Sequence, residues 1–262
     1  MKEKDSFCFP EQFWSELEAA GNRLLMIDYD GTIAPFRINQ KLAYPYPGTI
    51  ELLRNILRNK RNRVAIISGR SLSELKDFIR IEGIHLFGSY GLEEELNGFQ
   101  ESYRISGEEK EILEQGRLRV EKEGINGRIE EKPYSIAFHV RGIKNGNLLI
   151  GRVKQVWKPL EKPGSISVVP FNGGVELTIG HTKDFAVEKL LRSVPSDSFS
   201  VYIGDDDPDE PAFVAVNQYG WAIKIGKTKK PTAARLFLKD SQEFFSFLKC
   251  WLEISSGKTA PW

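Results

Sequence analysis

Sulfur is scarce in this chain. Its two cysteines, Cys8 and Cys250, stand near opposite ends of 262 residues. That excludes a disulfide scaffold and a cysteine metal centre, and it fits a reducing compartment. An excess of one charge is also lacking: 37 Lys and Arg against 36 Asp and Glu leave a formal charge of +1. A nucleic-acid footprint needs a basic excess or stripe, so no nucleic-acid partner is expected. No apolar run reaches the roughly 18 residues that cross a bilayer, so no membrane is expected either. Met1-Lys2-Glu3-Lys4-Asp5 leads into no apolar stretch of the secretory kind, and a cytoplasmic location is the expectation. Internal repeats and low-complexity segments are absent. A monomer is expected, with an oligomer left open.

Strand–helix alternation is what the chain has in quantity. Residues 11–20 read as a helix closed by Gly21, and residues 23–28 as a buried strand. Pro47 marks a helix start, with Ile50, Leu53, Ile56 and Leu57 on one face. Residues 63–68 form a second strand. Ser71 then caps a helix, with Glu74 three residues on as its capping-box partner. A third strand covers 84–87. Continuous apolar strands separated by helices predict an α/β fold, with a Rossmann-like parallel sheet covered on both faces.

The texture changes after Gly91, where charges become dense. Residues 134–140 alternate like a half-exposed antiparallel strand. Residues 165–169 and 175–178 read as a hairpin around Asn172-Gly173-Gly174, and 148–157 as a helix. These features predict an inserted α+β domain at 93–179, dividing the core into 1–92 and 180–262. Beyond Lys183 the core pattern resumes with a helix, strands at 200–203 and 221–225, and helices at 231–238 and 241–252. The tail from Ser255 reads as loose.

Chemistry concentrates in Leu24-Leu25-Met26-Ile27-Asp28-Tyr29-Asp30-Gly31-Thr32. An apolar strand runs into two carboxylates, a turn glycine and a hydroxyl. Burying such charge costs several kcal/mol unless it is paired or holds a metal. Two further strand ends suit phosphate: Ser68-Gly69-Arg70, and the run holding Asp205, Asp206 and Asp209. Ligands of open α/β sheets gather at carboxyl strand ends near a topological switch point, so one site can collect all three. Mg²⁺ takes oxygen ligands, commonly one or two carboxylates with water and substrate phosphate, and Asp28 with Asp205 is the candidate pair. A phosphate ester repels a carboxylate nucleophile. Mg²⁺ and Lys183 would offset that repulsion while Ser68 donates to a phosphate oxygen. Asp28 is the candidate nucleophile, and Asp30 the candidate acid for a leaving sugar oxygen and then base for water.

At this point the chain resembles a known group. Asp28-Tyr29-Asp30-Gly31-Thr32, Ile67-Ser68-Gly69-Arg70, Lys183 and Gly204-Asp205-Asp206-Asp207-Pro208-Asp209-Glu210 are similar to the four motifs of the haloacid dehalogenase-type phosphatases. The long gap between Gly91 and Lys183 resembles the cap that some members insert between the second and third motifs. Within the group, Gly204 through Phe213 resembles the Gly-Asp-Asp-x-x-Asp-Glu-x-Ala-Phe run of the trehalose-6-phosphate phosphatase family. Glu131-Lys132, Ser135, His139 and Arg141 resemble its cap signature, and Gly88-Ser89-Tyr90-Gly91 with Glu93 its Gly-Ser-His-Gly-x-Glu. Three positions depart: Tyr90 for the usual His, Val140 for a common Tyr, and Thr178 where Glu-x-Arg is usual. The resemblance implies Mg²⁺-dependent hydrolysis of trehalose 6-phosphate through an aspartyl phosphate. It implies that Asp30 lends its backbone carbonyl to a metal held by Asp28 and Asp205. Arg70, Glu93, Lys132, His139 and Glu176 become the implied substrate contacts between cap and core.

Plainer roles exist for single residues. Ser68 alone would cap the next helix, and Lys183 alone would be a first-turn surface lysine. Asp206, Asp207 and Asp209 cannot all bind one ion, so at least one caps the helix near Pro208. Glu93 lies in a charge run of the solvated kind. His139 is a structural residue or a ligand contact, while His85 and His181 carry no pattern. Phe244, Phe245 and Phe247 read as packing. The same motifs would serve a phosphatase for sucrose phosphate or for mannosyl or glucosyl phosphoglycerate, or a phosphomutase. A non-catalytic sensor is disfavoured because it could dispense with Asp28 and Asp30.

Overall fold

The computed structural model describes residues 9–180, 182–227 and 230–257. The expectations for the N-terminal segment with Cys8, for His181 and for the last residues of the tail lie outside them. α1 (Glu11–Ala19) leads into β1 (Arg23–Ile27), followed by α2 (Thr49–Leu57), β2 (Asn62–Ile67), α3 (Leu72–Phe78) and β3 (His85–Gly88). A hairpin of β4 (Glu93–Leu96) and β5 (Phe99–Ser102) precedes α4 (Gly107–Lys122), β6 (Arg128–Lys132) and β7 (Ser135–His139). Next come α5 (Gly146–Trp157), β8 (Ile166–Phe171), β9 (Gly174–Ile179) and α6 (Lys183–Arg192). β10 (Phe199–Gly204), α7 (Glu210–Val216), β11 (Gly220–Ile225), β12 (Leu236–Leu238) and α8 (Ser241–Ser255) complete the chain. No helix of the described residues is long and apolar enough to cross a membrane.

The larger sheet runs β12-β11-β10-β1-β2-β3-β4-β5, parallel from β12 to β3, with β4 and β5 antiparallel at one edge. Its apolar strands are covered on both faces. Leu25, Ile27, Val64, Ile66, Val201 and Ile203 pack with α1, α2 and α8 residues on one side. Leu24, Met26, Ala65, Ile67 and Tyr202 pack with α6 and α7 residues on the other. That period of two explains why the strands read as uninterrupted apolar runs. From β1 the chain moves to β2 and β3 on one side and later returns to β10 on the other. The switch point therefore lies between β1 and β10, where Ile27 pairs with Ile203.

The smaller antiparallel sheet runs β6-β7-β9-β8. Ile136, Phe138, Val175, Leu177 and Ile179 pack against Leu113 of α4 and Val153 and Trp157 of α5. The opposite face carries Ser135, His139, Glu176 and Thr178, all buried.

Several expectations change. β7 is buried along its whole length, not half exposed, because its polar face meets the larger sheet's strand-end loops. β4 and β5 fall within the segment expected as the insertion, yet Glu93 pairs with Gly88 at the edge of the larger sheet. Charged residues suit such an edge, since they discourage further strand pairing. α2 starts two residues after Pro47, with Gly48 at its N-cap in the left-handed region (φ 84°). The helix expected at 231–238 is absent; Leu236–Leu238 instead extends the sheet beside β11. α8 reaches Ser255, three residues past its expected end. The capping box of Ser71 and Glu74 forms as expected, and Phe244 and Phe247 are core residues.

Trp157 is fully buried and its Nε1 donates to the Gly116 carbonyl at 2.9 Å. Trp157→Ala should lower stability by about 3–5 kcal/mol in urea unfolding, and a loss below about 1 kcal/mol would contradict its place at the centre of the smaller sheet's core.

Candidate active site

The switch point brings Asp28 and Asp205 together from adjacent strand ends. The Asp28 amide donates to the Ile203 carbonyl at 2.8 Å, which continues the sheet by one residue beyond β1. The chain then turns through Gly31 (φ 92°). A side chain there would put Cβ 2.3 Å from an Asp205 carboxylate oxygen, so the glycine is required both for the turn and for the close approach. Thr32 is buried beneath both carboxylates, its Oγ1 3.5 Å from Asp28 and 3.4 Å from Asp205.

Lys183 enters at the start of α6 and is buried. Its Nζ donates to Asp28 Oδ1 at 2.5 Å and to Asp209 Oδ1 at 2.7 Å. Asp209 also accepts from the Tyr202 hydroxyl at 2.6 Å and from the amides of Asp205 and Asp206, each at 2.9 Å. The expected helix-capping aspartate is therefore Asp209 together with Asp206, which form a capping box. One oxygen from each of Asp28, Asp205 and Asp209 lies within 4.8 Å of the others.

The electrostatics follow from burial. Desolvation pushes Asp28 up to about 7, against the pull of Lys183 and with added repulsion from Asp209 and Asp30. Desolvation, then repulsion from Asp28 and Asp209, holds Asp205 well above the ordinary carboxylate range. Burial also pushes Asp209 upward, but the charge and hydrogen bond of Lys183 overcome it and leave that group below its ordinary value. Asp209 is thus satisfied, whereas Asp28 and Asp205 remain crowded hard oxygen donors. That donor set fits a hard metal ion.

The second strand end supplies Ser68 and Arg70. Ser68 is buried and its Oγ accepts from the Arg70 amide at 3.2 Å; the helix-capping role belongs to Ser71. Arg70 grips Asp30 with two bonds, Nε to Oδ2 at 2.6 Å and Nη2 to Oδ1 at 2.7 Å. Its guanidinium also lies 4.9 Å from the Tyr29 ring centroid. The Asp30 side chain thus faces Arg70 and stands outside the carboxylate trio.

Asp28, Asp30, Ser68, Arg70, Lys183 and Asp209 line a cavity of about 260 Å³, and residues of the smaller sheet form its other wall. Lys132, His139 and Glu176 line it as well. Lys132 Nζ donates to Glu176 Oε1 at 2.9 Å, and His139 Nε2 lies 2.6 Å from Glu130 Oε2. Glu93 is different. It accepts from the Leu72 amide at 3.1 Å and the Ser89 hydroxyl at 2.7 Å, which places it at the N-terminus of α3 and not in the cavity. Sequence reasoning had not found Tyr202 as a partner of Asp209, Glu130 as the partner of His139, or Tyr90 as a donor to Glu176 at 2.5 Å. The motifs carried a signal for Asp209, Tyr90, His139 and Glu176, but their partners become visible only with the pairing of β6 with β7 and the packing of the two sheets.

A trehalose-phosphatase family model matches residues 26–242, which takes in every one of these groups. The chain belongs to the trehalose-phosphatase family. It is a phosphoric monoester hydrolase. Trehalose 6-phosphate phosphatase RA3 of Zea mays is 27% identical over 263 residues, covering 91% of this chain and 72% of that one. Probable trehalose-phosphate phosphatase D of Arabidopsis thaliana is 25% identical over 257 residues, covering 89% and 68%. The C-terminal domain of Candida albicans trehalose-6-phosphate phosphatase superposes with a TM-score of 0.77 at 20% identity, covering 97% of this chain and 100% of that one. The Aspergillus fumigatus enzyme (crystal form 2) gives 0.67 at 22% identity, covering 92% and 97%. These structures share the haloacid dehalogenase-like fold.

In this trehalose-phosphatase family member, removal of the Lys183 ammonium would leave Asp28 and Asp209 facing each other in a buried space. Lys183→Met should cost about 3–5 kcal/mol of stability in chelator-treated protein, measured by urea unfolding. A cost under about 1 kcal/mol would show that the pair contributes nothing to the fold.

Proposed function

We propose that this protein is a Mg²⁺-dependent trehalose-6-phosphate phosphatase that works through an aspartyl-phosphate intermediate. One observation carries the reading: Asp28 lies beside Lys183 and Asp205 at the wall of a cavity that the smaller sheet closes with hydrogen-bonding side chains. Trehalose 6-phosphate is the substrate expected from the family. The segment carrying the smaller sheet serves as the cap, reading sugar hydroxyls and shielding the reaction from water.

Asp28 and Asp205 would hold the ion, with the Asp30 carbonyl as a third ligand. When bound, Mg²⁺ offsets the negative charge of the phosphoryl group and orients it. An Asp28 oxygen attacks phosphorus as the bond to the sugar oxygen breaks, and Asp30, drawn away from Arg70 and protonated once substrate is bound, gives that oxygen its proton. Asp30 then takes a proton from water, the water oxygen bonds to phosphorus, and the Asp28–phosphorus bond breaks to release phosphate. Lys183 and Ser68 hold the phosphoryl oxygens, and before substrate binds Arg70 holds the Asp30 carboxylate at the cavity edge.

A phosphatase for a different sugar phosphate remains the second reading. It is favoured by Thr178, a buried neutral residue on the same face of β9 as Glu176 where the family resemblance implies an arginine. A phosphate-release panel separates the two, with trehalose 6-phosphate, sucrose 6-phosphate and glucosyl phosphoglycerate tested in Mg²⁺ and in chelator. Trehalose 6-phosphate should give the highest kcat/KM, and Asp28→Asn should lose at least about a thousandfold on it. Near-wild-type release by that variant would overturn the mechanism.

The ion also leaves a pH signature. Asp28, pushed up to about 7 chiefly by burial, holds its proton more tightly folded than unfolded, so metal-free protein loses stability as pH rises from about 4 towards 7. Mg²⁺ replaces that proton, and the rise in Tm on adding Mg²⁺ should be larger at about pH 7.5 than at about pH 4.5. Equal rises at both would contradict the assignment of Asp28 as a ligand.

A further inference from the structure

Tyr90 occupies a costly conformation for a reason visible in its contacts. It sits in the short turn Ser89–Gly91 after β3 with φ 59°, in the left-handed region that non-glycine residues avoid. The turn is tied to the loop at the end of β2: the Tyr90 amide donates to the Ser68 carbonyl at 2.9 Å and the Ser89 amide to the Arg70 carbonyl at 2.6 Å. The phenol ring lies against Gly69, where an added Cβ would stand 2.6 Å from Cζ. This backbone holds the ring at the cavity wall that also carries Asp28 and Lys183.

The hydroxyl crosses from the larger sheet to the smaller one. It donates to Glu176 Oε2 at 2.5 Å. Glu176 Oε1 accepts from Lys132 Nζ at 2.9 Å and from the Ser135 hydroxyl. Lys132 reaches back to the Gly69 carbonyl at 3.3 Å. A phenol, a carboxylate and an ammonium therefore bridge the two sheets at one point inside the cavity. Burial, with the neighbouring charge of Glu176, keeps the phenol protonated. A phenol has one proton, and here that proton is committed to Glu176, so the oxygen has only an acceptor site left to offer.

We propose that Tyr90 is a specificity-determining residue: its oxygen, with the proton committed to Glu176, accepts a hydrogen bond from a hydroxyl of the bound sugar and selects against phosphate esters whose leaving group brings no donor to that point. The inference deepens the sugar-phosphate reading and rests on it. Its chemistry is directional. A ligand group that offers only lone pairs there would face the oxygens of both Tyr90 and Glu176 without a proton between them.

The test compares kcat/KM for trehalose 6-phosphate with that for p-nitrophenyl phosphate, a phosphate ester without sugar hydroxyls. Tyr90→Phe keeps the ring against Gly69 and removes only the hydroxyl. It should lower the ratio of the two kcat/KM values at least about tenfold, chiefly through KM for the sugar phosphate. Glu176→Gln should act in the same direction, and the double variant should lose less than the product of the single losses. Calorimetric binding of trehalose 6-phosphate to Asp28→Asn, with and without Tyr90→Phe, reads the same selection without turnover. Equal losses on both substrates, or fully multiplicative effects of the two substitutions, would reduce Tyr90 to a structural residue. A wild-type protein that hydrolyses p-nitrophenyl phosphate and not trehalose 6-phosphate would instead overturn the substrate reading, and this inference with it.

Discussion

Repulsion among buried carboxylates at the end of β1 and β10 is the constraint that the rest of the structure serves. Asp28, Asp205 and Asp209 bring oxygens within 4.8 Å of one another, and one ammonium, Lys183, touches two of them. Such a group survives folding only when every neighbour is committed to it. Gly31 and Gly204 omit side chains where Asp205 and Asp209 press closest. Tyr202 and two amides at the start of the turn before α7 complete the shell of Asp209. The parallel sheet supplies the geometry: two adjacent strands in register deliver acids to one point, and α6 delivers the lysine.

The two sheets divide the chemistry between them. The larger sheet contributes acids and the cations that hold them. The smaller sheet contributes Lys132, Ser135, His139 and Glu176, groups that exchange hydrogen bonds with a polyhydroxylated molecule. Its other face is apolar and closed by α4 and α5, so the sheet is buried on one side by its own core and on the other by the site. This double burial has a cost in backbone freedom and polar desolvation, offset by bonds such as Tyr90 to Glu176 and Ser135 to Glu176.

The sequence was most legible where one physical rule acted alone. β1, β2 and β10 are covered on both faces, so continuous apolar runs marked them. Ser71 and Glu74, and the turn at Asn172-Gly173, followed local backbone chemistry. Legibility failed where two rules competed. β7 alternates because it packs an apolar face and a polar site-facing one, and that pattern is indistinguishable in sequence from exposure on one side. β4 carries three successive glutamates that read as a solvated run, yet the backbone of an edge strand pairs whatever its side chains. Leu236–Leu238 read as part of a helix because three residues carry too short a pattern to separate the two periods. At the site, the acids were legible through motif order, but Glu93 was not. It reads as a ligand contact, and tertiary packing gives its carboxylate to the amide of Leu72, whereas Arg70 lines the cavity with its guanidinium on Asp30.

That use of Arg70 separates the two carboxylates of the first motif. Asp30 has a guanidinium to itself, bound at both oxygens. Asp28 shares Lys183 with Asp209. When all four carboxylates Asp28, Asp30, Asp205 and Asp209 are ionised they carry four negative charges; among the described residues Asp28, Asp30 and Asp209 pair with two cations and Asp205 with none, so two negative charges are left over. Asp205 makes only a long contact with Thr32, and repulsion from Asp28 is the largest charge effect acting on it. A single divalent cation between Asp28 and Asp205 closes that deficit, whereas another lysine would close half of it. The phosphoryl group then approaches a site whose charge is balanced before it arrives. The same balance explains why Asp30, paired with Arg70 at the cavity edge, is not needed to hold the ion through its side chain.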